Sequence, residues 1–98
     1  MKQPNMHPKL FDFMSSLSRL EEILAQHERA GWFEKIKRVR QVTANSDGYC
    51  VELFLGLHGG MGSFNDLVLN APNSANNELN RERSRAYQLA RELLEAIL

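Results

Sequence analysis

The segment Gly59-Gly60-Met61-Gly62-Ser63-Phe64-Asn65-Asp66-Leu67-Val68-Leu69 decides how the chain is organised. It places three glycines within four residues, and glycine takes a positive φ at little steric cost. Ser63 followed by Asp66 is typical of a helix start, because both side chains can satisfy the first backbone N–H groups of a helix. The segment therefore predicts a rigid turn in which Gly59 ends one element and Ser63 caps the next. One helical turn then returns Leu67, Val68 and Leu69 to the core.

Two amphipathic helices are predicted upstream of this turn. From Pro8 to about His27, apolar residues recur at spacings of three and four, which places them on one face of a helix. They are Leu10, Phe13, Leu17, Leu20 and Leu24. Ala30-Gly31 is expected to end this helix, and a second helix is expected from Trp32 to about Val42. The turn-forming residues Asn45-Ser46-Asp47-Gly48 follow.

The segment from Tyr49 to His58 fits two structures. Apolar residues alternate as in a β-strand, and the preceding turn would allow a hairpin with residues 38–43. Read as a helix, the same segment is apolar almost all round, which suits a buried position. A lone hairpin is marginally stable without a third strand. We therefore favour the helix.

The C-terminal part of the chain predicts the longest helix. Asn70 to Asn77 is expected to be a polar loop, and either Ser74 or Asn76 to cap the helix that continues to Leu98. Its apolar stripe consists of Leu79, Ala86, Ala90, Leu93 and Ile97, with Tyr87 and Leu94 beside it.

These segments predict a single all-α domain over residues 1–98, with about four helices and a glycine-rich connector before the last. Residues 1–8 are expected to form a flexible N-terminus. One core is expected to unite residues from all the predicted helices and the connector. Its members are Leu17, Leu20, Leu24, Trp32, Ile36, Leu55, Leu67, Ala90 and Leu93.

Composition excludes several function classes. The chain has 98 residues, 43% of them hydrophobic, with twelve basic and twelve acidic residues. A net charge of zero gives no long-range attraction to nucleic acid or an anionic membrane, and no apolar run is long enough to span a bilayer. With one cysteine, Cys50, the chain cannot form an internal disulfide. We expect a cytoplasmic protein that binds neither nucleic acid nor membranes.

Recognisable catalytic, cofactor and metal signatures are missing from the sequence. The glycine segment lacks the Gly-Lys-Ser/Thr ending of a phosphate-binding loop, and Met61 and Asn65 occupy the glycine positions of a serine hydrolase elbow. His7, His27, His58 and Cys50 do not have the spacing of metal ligands. We expect no enzyme activity, no cofactor and no metal, and we expect Cys50 to be a small buried residue.

The glycine motif also supports a resemblance. Together with the later segment Arg85-Ala86-Tyr87-Gln88-Leu89-Ala90-Arg91-Glu92-Leu93, it resembles a family of small bacterial proteins of unknown function. The resemblance covers most of the chain from about Leu17 onward. It implies an all-helical fold with a tryptophan in the second helix and the glycine motif before a long last helix. It implies no activity.

With catalytic, metal, nucleic-acid and membrane functions disfavoured, binding to a protein or to a small molecule is left as the expected function. We expect a non-enzymatic bacterial protein-interaction module of immunity or regulatory type; the alternative is a small-molecule or anion-binding domain that uses the turn from Gly59 to Asp66. The candidate binding residues are Met61, Gly62, Ser63, Phe64, Asn65 and Asp66, with Met61, Phe64 and Asn65 exposed. The basic residues Lys35, Lys37, Arg38 and Arg40 are expected to form the solvated face of the second helix, or to meet an acidic protein partner.

Overall fold

Apolar stripes and helices coincide along the chain. The computed structural model describes residues 8–45, 48–58 and 62–97. It contains α1 (Pro8–Gln26), α2 (Ala30–Ala44), α3 (Tyr49–Leu55) and α4 (Asn73–Ile97), with a 3₁₀ turn at Phe64–Asp66. These residues include no β-strand. The all-α fold with four helices is confirmed. The predicted flexible N-terminus lies outside the described residues except for Pro8, which begins α1. Also outside them are Ser46, Asp47, Gly59, Gly60 and Met61.

Helix α1 lies at the centre and packs against both α2 and α4. Lys9 at its start pairs with Glu92 at 2.9 Å, and Arg19 near its end pairs with Glu78. The partners run in opposite order along the chain, so α1 and α4 are antiparallel. Between them, the Ser16 hydroxyl donates to the backbone carbonyl of Glu82 at 3.3 Å.

Three phenylalanines from distant parts of the chain meet in the core. Phe13 of α1, Phe54 of α3 and Phe64 of the 3₁₀ turn are fully buried. The ring centroids of Phe13 and Phe54 are 5.3 Å apart, and those of Phe54 and Phe64 are 6.3 Å apart. All nine predicted core residues belong to this core, with Trp32 and Leu55 partly exposed at its edge.

Of the segment from Tyr49 to His58, for which we favour a helix, Tyr49–Leu55 is helical, which confirms the helix over the strand. The C-cap of this helix is Gly56 and not the predicted Gly59. Cys50, Val51 and Phe54 are buried, whereas Tyr49 is exposed. Two further turns follow, in which the N–H groups of Leu57 and His58 donate to the carbonyls of Phe54 and Leu55. These turns position the His58 side chain beside the core.

The predicted boundary between α1 and α2 is wrong. Helix α1 ends at Gln26, and Ala30-Gly31 begins α2. Glu28 adopts a left-handed conformation with φ of 57°, and the N–H of Arg29 donates to the Leu24 carbonyl at 2.9 Å. Glycine is the usual residue at such a helix end, so the glutamate gave no signal in the sequence.

The prediction that Arg40 belongs to a solvated basic face is also wrong. Arg40 makes two hydrogen bonds to the carboxylate of Glu21 on α1, one of them 3.2 Å long from Nη2. Glu21 is only 8% exposed. The pair therefore joins α1 to α2 at the edge of the core. The other three basic residues, Lys35, Lys37 and Arg38, remain at least partly exposed.

The loop before α4 is shorter than predicted. It ends at Pro72, whose carbonyl accepts from the N–H of Ala75 at 3.0 Å, and α4 begins at Asn73. Asn76 does not cap the helix; its side chain binds the backbone of Leu69. Leu67 and Leu69 return to the core as predicted, but Val68 is 72% exposed because neighbouring residues of an extended segment point in opposite directions. On α4, the predicted stripe from Leu79 to Leu93 is buried, and the side chain of Ile97 lies outside the described residues.

Candidate functional site

The described part of the glycine motif is a tight turn held by its own side chains. Gly62 has a φ of 76°, as a defined glycine turn requires, and its N–H donates to Oδ2 of Asp66 at 3.1 Å. The Ser63 hydroxyl bonds Asn65 and makes no capping bond to the backbone. The predicted cap by Ser63 is therefore wrong: Ser63 stands at the N-cap position without a capping bond, and Asp66 bonds the N–H of Gly62, one residue earlier.

Phe64 anchors the turn in the core. Its N–H donates to the Leu57 carbonyl at 2.8 Å, and its ring lies 5.1 Å from the Trp32 ring, centroid to centroid. The prediction that Phe64 is exposed is wrong, because the 3₁₀ turn directs this side chain inward and leaves it with no exposed surface. It cannot contact a partner directly.

Arg83 of α4 fixes the other side of the turn. Its Nη1 donates to the carbonyl oxygens of Phe64 at 2.6 Å and Leu67 at 3.0 Å, and its guanidinium carbon lies 5.6 Å from the Phe64 ring centroid. Burial lowers the pKa of Arg83, whereas the negative charge of Asp66 raises it. The sequence gave no sign of this role, since Arg83 is one of several arginines on an exposed-looking helix.

On one side of Phe64 lies a surface that we call the Trp32 surface. It consists of two adjoining shallow depressions of about 350 and 360 Å³ that share Arg29 and Trp32. Gly62, Ser63, Asp66, Leu67 and Val68 complete the first depression, and residues 28–31 line the second together with Trp32. Trp32 is partly buried, and Nζ of Lys35 lies over its ring at 4.6 Å from the centroid.

On the other side of Phe64 lies a cleft of about 640 Å³, which we call the His58 cleft. Its lining residues come from the end of the α3 segment, from the turn and from α4. They are His58, Asn65, Asn80, Arg83, Ser84, Tyr87 and Gln88. It shares no lining residue with the Trp32 surface.

His58 is enclosed by aromatic rings. Its centroid lies 4.7 Å from that of Phe54, 5.6 Å from that of Phe64 and 5.1 Å from that of Tyr87. Its Nδ1 is 3.0 Å from the Phe54 carbonyl oxygen, and since a carbonyl only accepts, Nδ1 carries the proton. Nε2 is then an acceptor, and it is buried without a hydrogen-bond partner among the described residues.

The electrostatic environment keeps this imidazole neutral. Desolvation lowers the pKa of His58, the hydrogen bond to Phe54 opposes that shift, and the positive charge of Arg83 lowers the pKa further. A neutral imidazole in a cleft can accept a hydrogen bond at Nε2 without a change of charge.

The structure divides the predicted site residues between these two places. Gly62, Ser63 and Asp66 line the Trp32 surface, Asn65 lines the His58 cleft, and the buried Phe64 separates them. Met61 lies outside the described residues. The participation of α4 in the His58 cleft was missed, because a contact between residues so far apart in the chain leaves no local pattern.

The described residues lack two features. No helix among them combines the length and apolarity that crossing a bilayer requires. In the same ranges, no three histidine, cysteine, aspartate or glutamate side chains come together in a group that could hold a metal ion.

Comparison with known proteins gives one match. The sequence profile of the family described as Domain of unknown function (DUF6966) matches residues 25–78. This range includes α2, α3, the glycine motif and the first turns of α4. It therefore contains Trp32, His58 and Phe64 but ends before Arg83 and Tyr87. No curated protein and no solved structure matches the chain.

Proposed function

This chain belongs to the DUF6966 family, a domain of unknown function, and we propose that it is a non-enzymatic protein-interaction module that binds its partner through the Trp32 surface. The observation that carries the proposal is the position of Val68, which is 72% exposed and lines one depression together with Trp32 and Arg29. An apolar side chain with so much exposed area gains free energy when a partner covers it, about 1.5–3 kcal/mol for full burial of a valine-sized group.

The residue types on this surface suit a binding centre. Tryptophan and arginine are enriched among the residues that contribute most to protein–protein affinity, and polar groups commonly surround them. Here Trp32 and Arg29 lie at the junction of the two depressions, and Ser63 and Asp66 lie beside them.

The backbone beneath the surface is held in place before any partner arrives. Phe64 is buried under the turn, Arg83 bonds two of its carbonyls, and Asp66 bonds the N–H of Gly62. A surface that is ordered in the free protein loses less conformational entropy on binding. The glycine motif thus supports the binding surface, and only part of it contacts the partner.

Charge suggests the partner's chemistry. Arg29 and the Lys35 ammonium border the surface beside the Trp32 ring. The acidic residues of the surface are Glu28 and Asp66, and Asp66 already accepts from the N–H of Gly62. We propose a bacterial protein partner, in an immunity or a regulatory role, that presents an apolar side chain next to carboxylates. The apolar side chain packs on Val68 and Trp32, and the carboxylates pair with Arg29 and Lys35.

Site-specific photo-crosslinking in cells of the source organism tests this proposal. Val68 is replaced by p-benzoylphenylalanine, and the control chain carries the same group at Phe11, an exposed apolar residue near the start of α1. We expect a discrete crosslinked product from position 68 that is absent from position 11. The product should weaken when Arg29→Glu is added.

Two results would contradict the proposal. One is a position 68 product no different from that of position 11. The other is a product whose amount does not change with Arg29→Glu, since the partner would then not depend on an ion pair with Arg29. Far-ultraviolet circular dichroism of each variant checks that the helices are intact.

A further inference from the structure

The His58 cleft is separate from the Trp32 surface and has its own chemistry. Its volume of about 640 Å³ lies within the range of about 300–1,000 Å³ typical of small-molecule sites. Two of its lining residues, His58 and Tyr87, are aromatic rings, and the others carry amide, hydroxyl or guanidinium groups. A cleft of this size and lining accommodates a molecule of one or two rings.

The buried nitrogen of His58 selects for a hydrogen-bond donor. Its Nδ1 already donates to the Phe54 carbonyl, so Nε2 offers a lone pair, and it has no partner among the described residues. An acceptor buried without a partner is unfavourable, and a ligand that donates to it removes this cost.

Anions are disfavoured here even though an arginine lines the cleft. The Arg83 guanidinium donates to the carbonyls of Phe64 and Leu67 and to the side chain of Asn80. Nη1 is thus occupied by two backbone carbonyls and Nη2 bonds Asn80, and an anion near His58 would face the lone pair of Nε2. A cation would in turn face the positive charge of Arg83.

Tyr87 controls access to the nitrogen. Its ring lies 5.1 Å from that of His58, and its side chain is 40% exposed on α4. An exposed side chain changes rotamer on a short timescale. Nε2 has almost no exposed surface, so a ligand reaches it only when a neighbouring side chain moves. Of the three rings around His58, only that of Tyr87 is exposed, and once rotated it can pack against the face of the bound molecule.

From these contacts we infer that the His58 cleft binds a small uncharged heteroaromatic molecule, which donates an N–H hydrogen bond to Nε2 of His58 and stacks on Tyr87. Ser84 and Gln88 of α4 offer further polar groups along the wall of the cleft. This binding site is distinct from that of the proposed protein interaction, since the two places share no lining residue.

Two pairs of probes test the inference on the unaltered chain. Benzimidazole and indole carry a ring N–H, and N-methylbenzimidazole and N-methylindole have the same ring shapes without that donor. Each is titrated to millimolar concentration while amide shifts and the ring nitrogens of His58 are followed by proton–nitrogen correlation spectra. We expect the N–H probes to shift the amides of Ser84, Tyr87 and Gln88 and the Nε2 resonance of His58. Because each methylated probe loses one hydrogen bond to a buried acceptor, we expect it to bind about tenfold more weakly.

His58→Phe gives the matched variant, because it keeps an aromatic ring among Phe54, Phe64 and Tyr87 but removes the acceptor. In this variant the two members of each probe pair should bind equally. Equal binding of both members of a pair to the unaltered chain would show that the ligand does not donate a hydrogen bond to Nε2 of His58. The absence of shifts at the cleft with both N–H probes would overturn the inference altogether. Neither result would affect the photo-crosslinking test of the Trp32 surface.

Discussion

The side chain of Asn76 pairs with both backbone groups of Leu69. The N–H of Leu69 donates to Oδ1 of Asn76 at 2.7 Å, and Nδ2 of Asn76 donates to the Leu69 carbonyl at 3.0 Å. The amide group thus replaces a neighbouring strand for one residue of an extended segment. It fixes the segment that carries Val68 to the first turns of α4.

We expect Asn76→Ala to destabilise the protein, because both Leu69 groups lose their partner in a part-buried place. The free energy of unfolding should fall by about 1–3 kcal/mol. Asn77→Ala, at the exposed neighbouring position, should change it by less than about 0.5 kcal/mol. Urea unfolding followed by circular dichroism measures both. Equal stability of the two variants would show that the Asn76 side chain does not stabilise the loop.

Gly62→Ala should be destabilising through the backbone alone. A Cβ at this position meets no atom within 4 Å, but a φ of 76° is strained for alanine. We expect a loss of about 1 kcal/mol or more. Gly31→Ala is the control, since it also meets no atom within 4 Å and lies in the first turn of α2. Gly31→Ala should leave the free energy of unfolding unchanged or raise it by up to about 1 kcal/mol. Thermal unfolding measures both variants, and a Gly62→Ala variant as stable as Gly31→Ala would contradict the prediction.

The partly buried ion pair of Glu21 and Arg40 should affect stability most when only one of its partners is removed. Arg40→Met leaves the Glu21 carboxylate, 8% exposed, without its main partner. We expect a loss of about 2 kcal/mol, less than the ~3–5 kcal/mol of a fully buried pair. The double variant Glu21→Leu with Arg40→Met should recover most of that loss. Lys9→Met, at the more exposed ion pair with Glu92, should cost clearly less than Arg40→Met. A double variant no more stable than Arg40→Met would contradict the prediction.

We expect the free energy of unfolding to fall below about pH 6.5, where His58 of the unfolded chain takes up a proton more readily than His58 of the folded protein. Because burial lowers the pKa of His58 in the folded state, the unfolded chain binds a proton first as the pH falls. The stabilisation is therefore complete above the unfolded pKa of about 6.5 and decreases below it. Urea unfolding from about pH 7.5 to about pH 5 should show a smaller loss for His58→Phe than for the unaltered chain. If the free energy of unfolding depended on pH in the same way in both proteins, the protonation of His58 would not affect stability and the prediction would be wrong.

Nucleic-acid binding should be no stronger than that of a generic neutral protein. Arg40 pairs with Glu21, and at about 100° per residue Lys35 and the other basic residues of α2 lie on different sides of the helix, so they do not form one set for phosphates. Few phosphates are then neutralised together, and affinity depends on that number. Fluorescence anisotropy with random-sequence oligonucleotides at about 0.15 M salt provides the measurement. A sub-micromolar Kd that weakens with Lys35→Glu and Arg38→Glu would contradict this prediction.

The candidate site was only partly predictable, and the residues show why. Gly62 was identified because positive φ is a local property that glycine signals by itself. Phe64 was expected to be exposed, since the direction of one side chain in a short turn depends on what packs against it. His58 appeared only as a scattered histidine, because its partners Phe54, Phe64 and Tyr87 meet it through the tertiary structure.

The sequence by itself determined which faces of α1, α2 and α4 are apolar, and nine residues of the core. Apolar spacing of three and four residues places Leu17, Leu20 and Leu24 on one face of α1 whatever the helix packs against, because helical periodicity is a property of the local backbone. Tertiary structure alone decided which polar groups found partners. Arg83 bonds the carbonyl of Phe64, and Asn76 bonds the backbone of Leu69. Each contact depends on how separate segments pack, and a sequence pattern records a side chain's chemistry but not its neighbours in space.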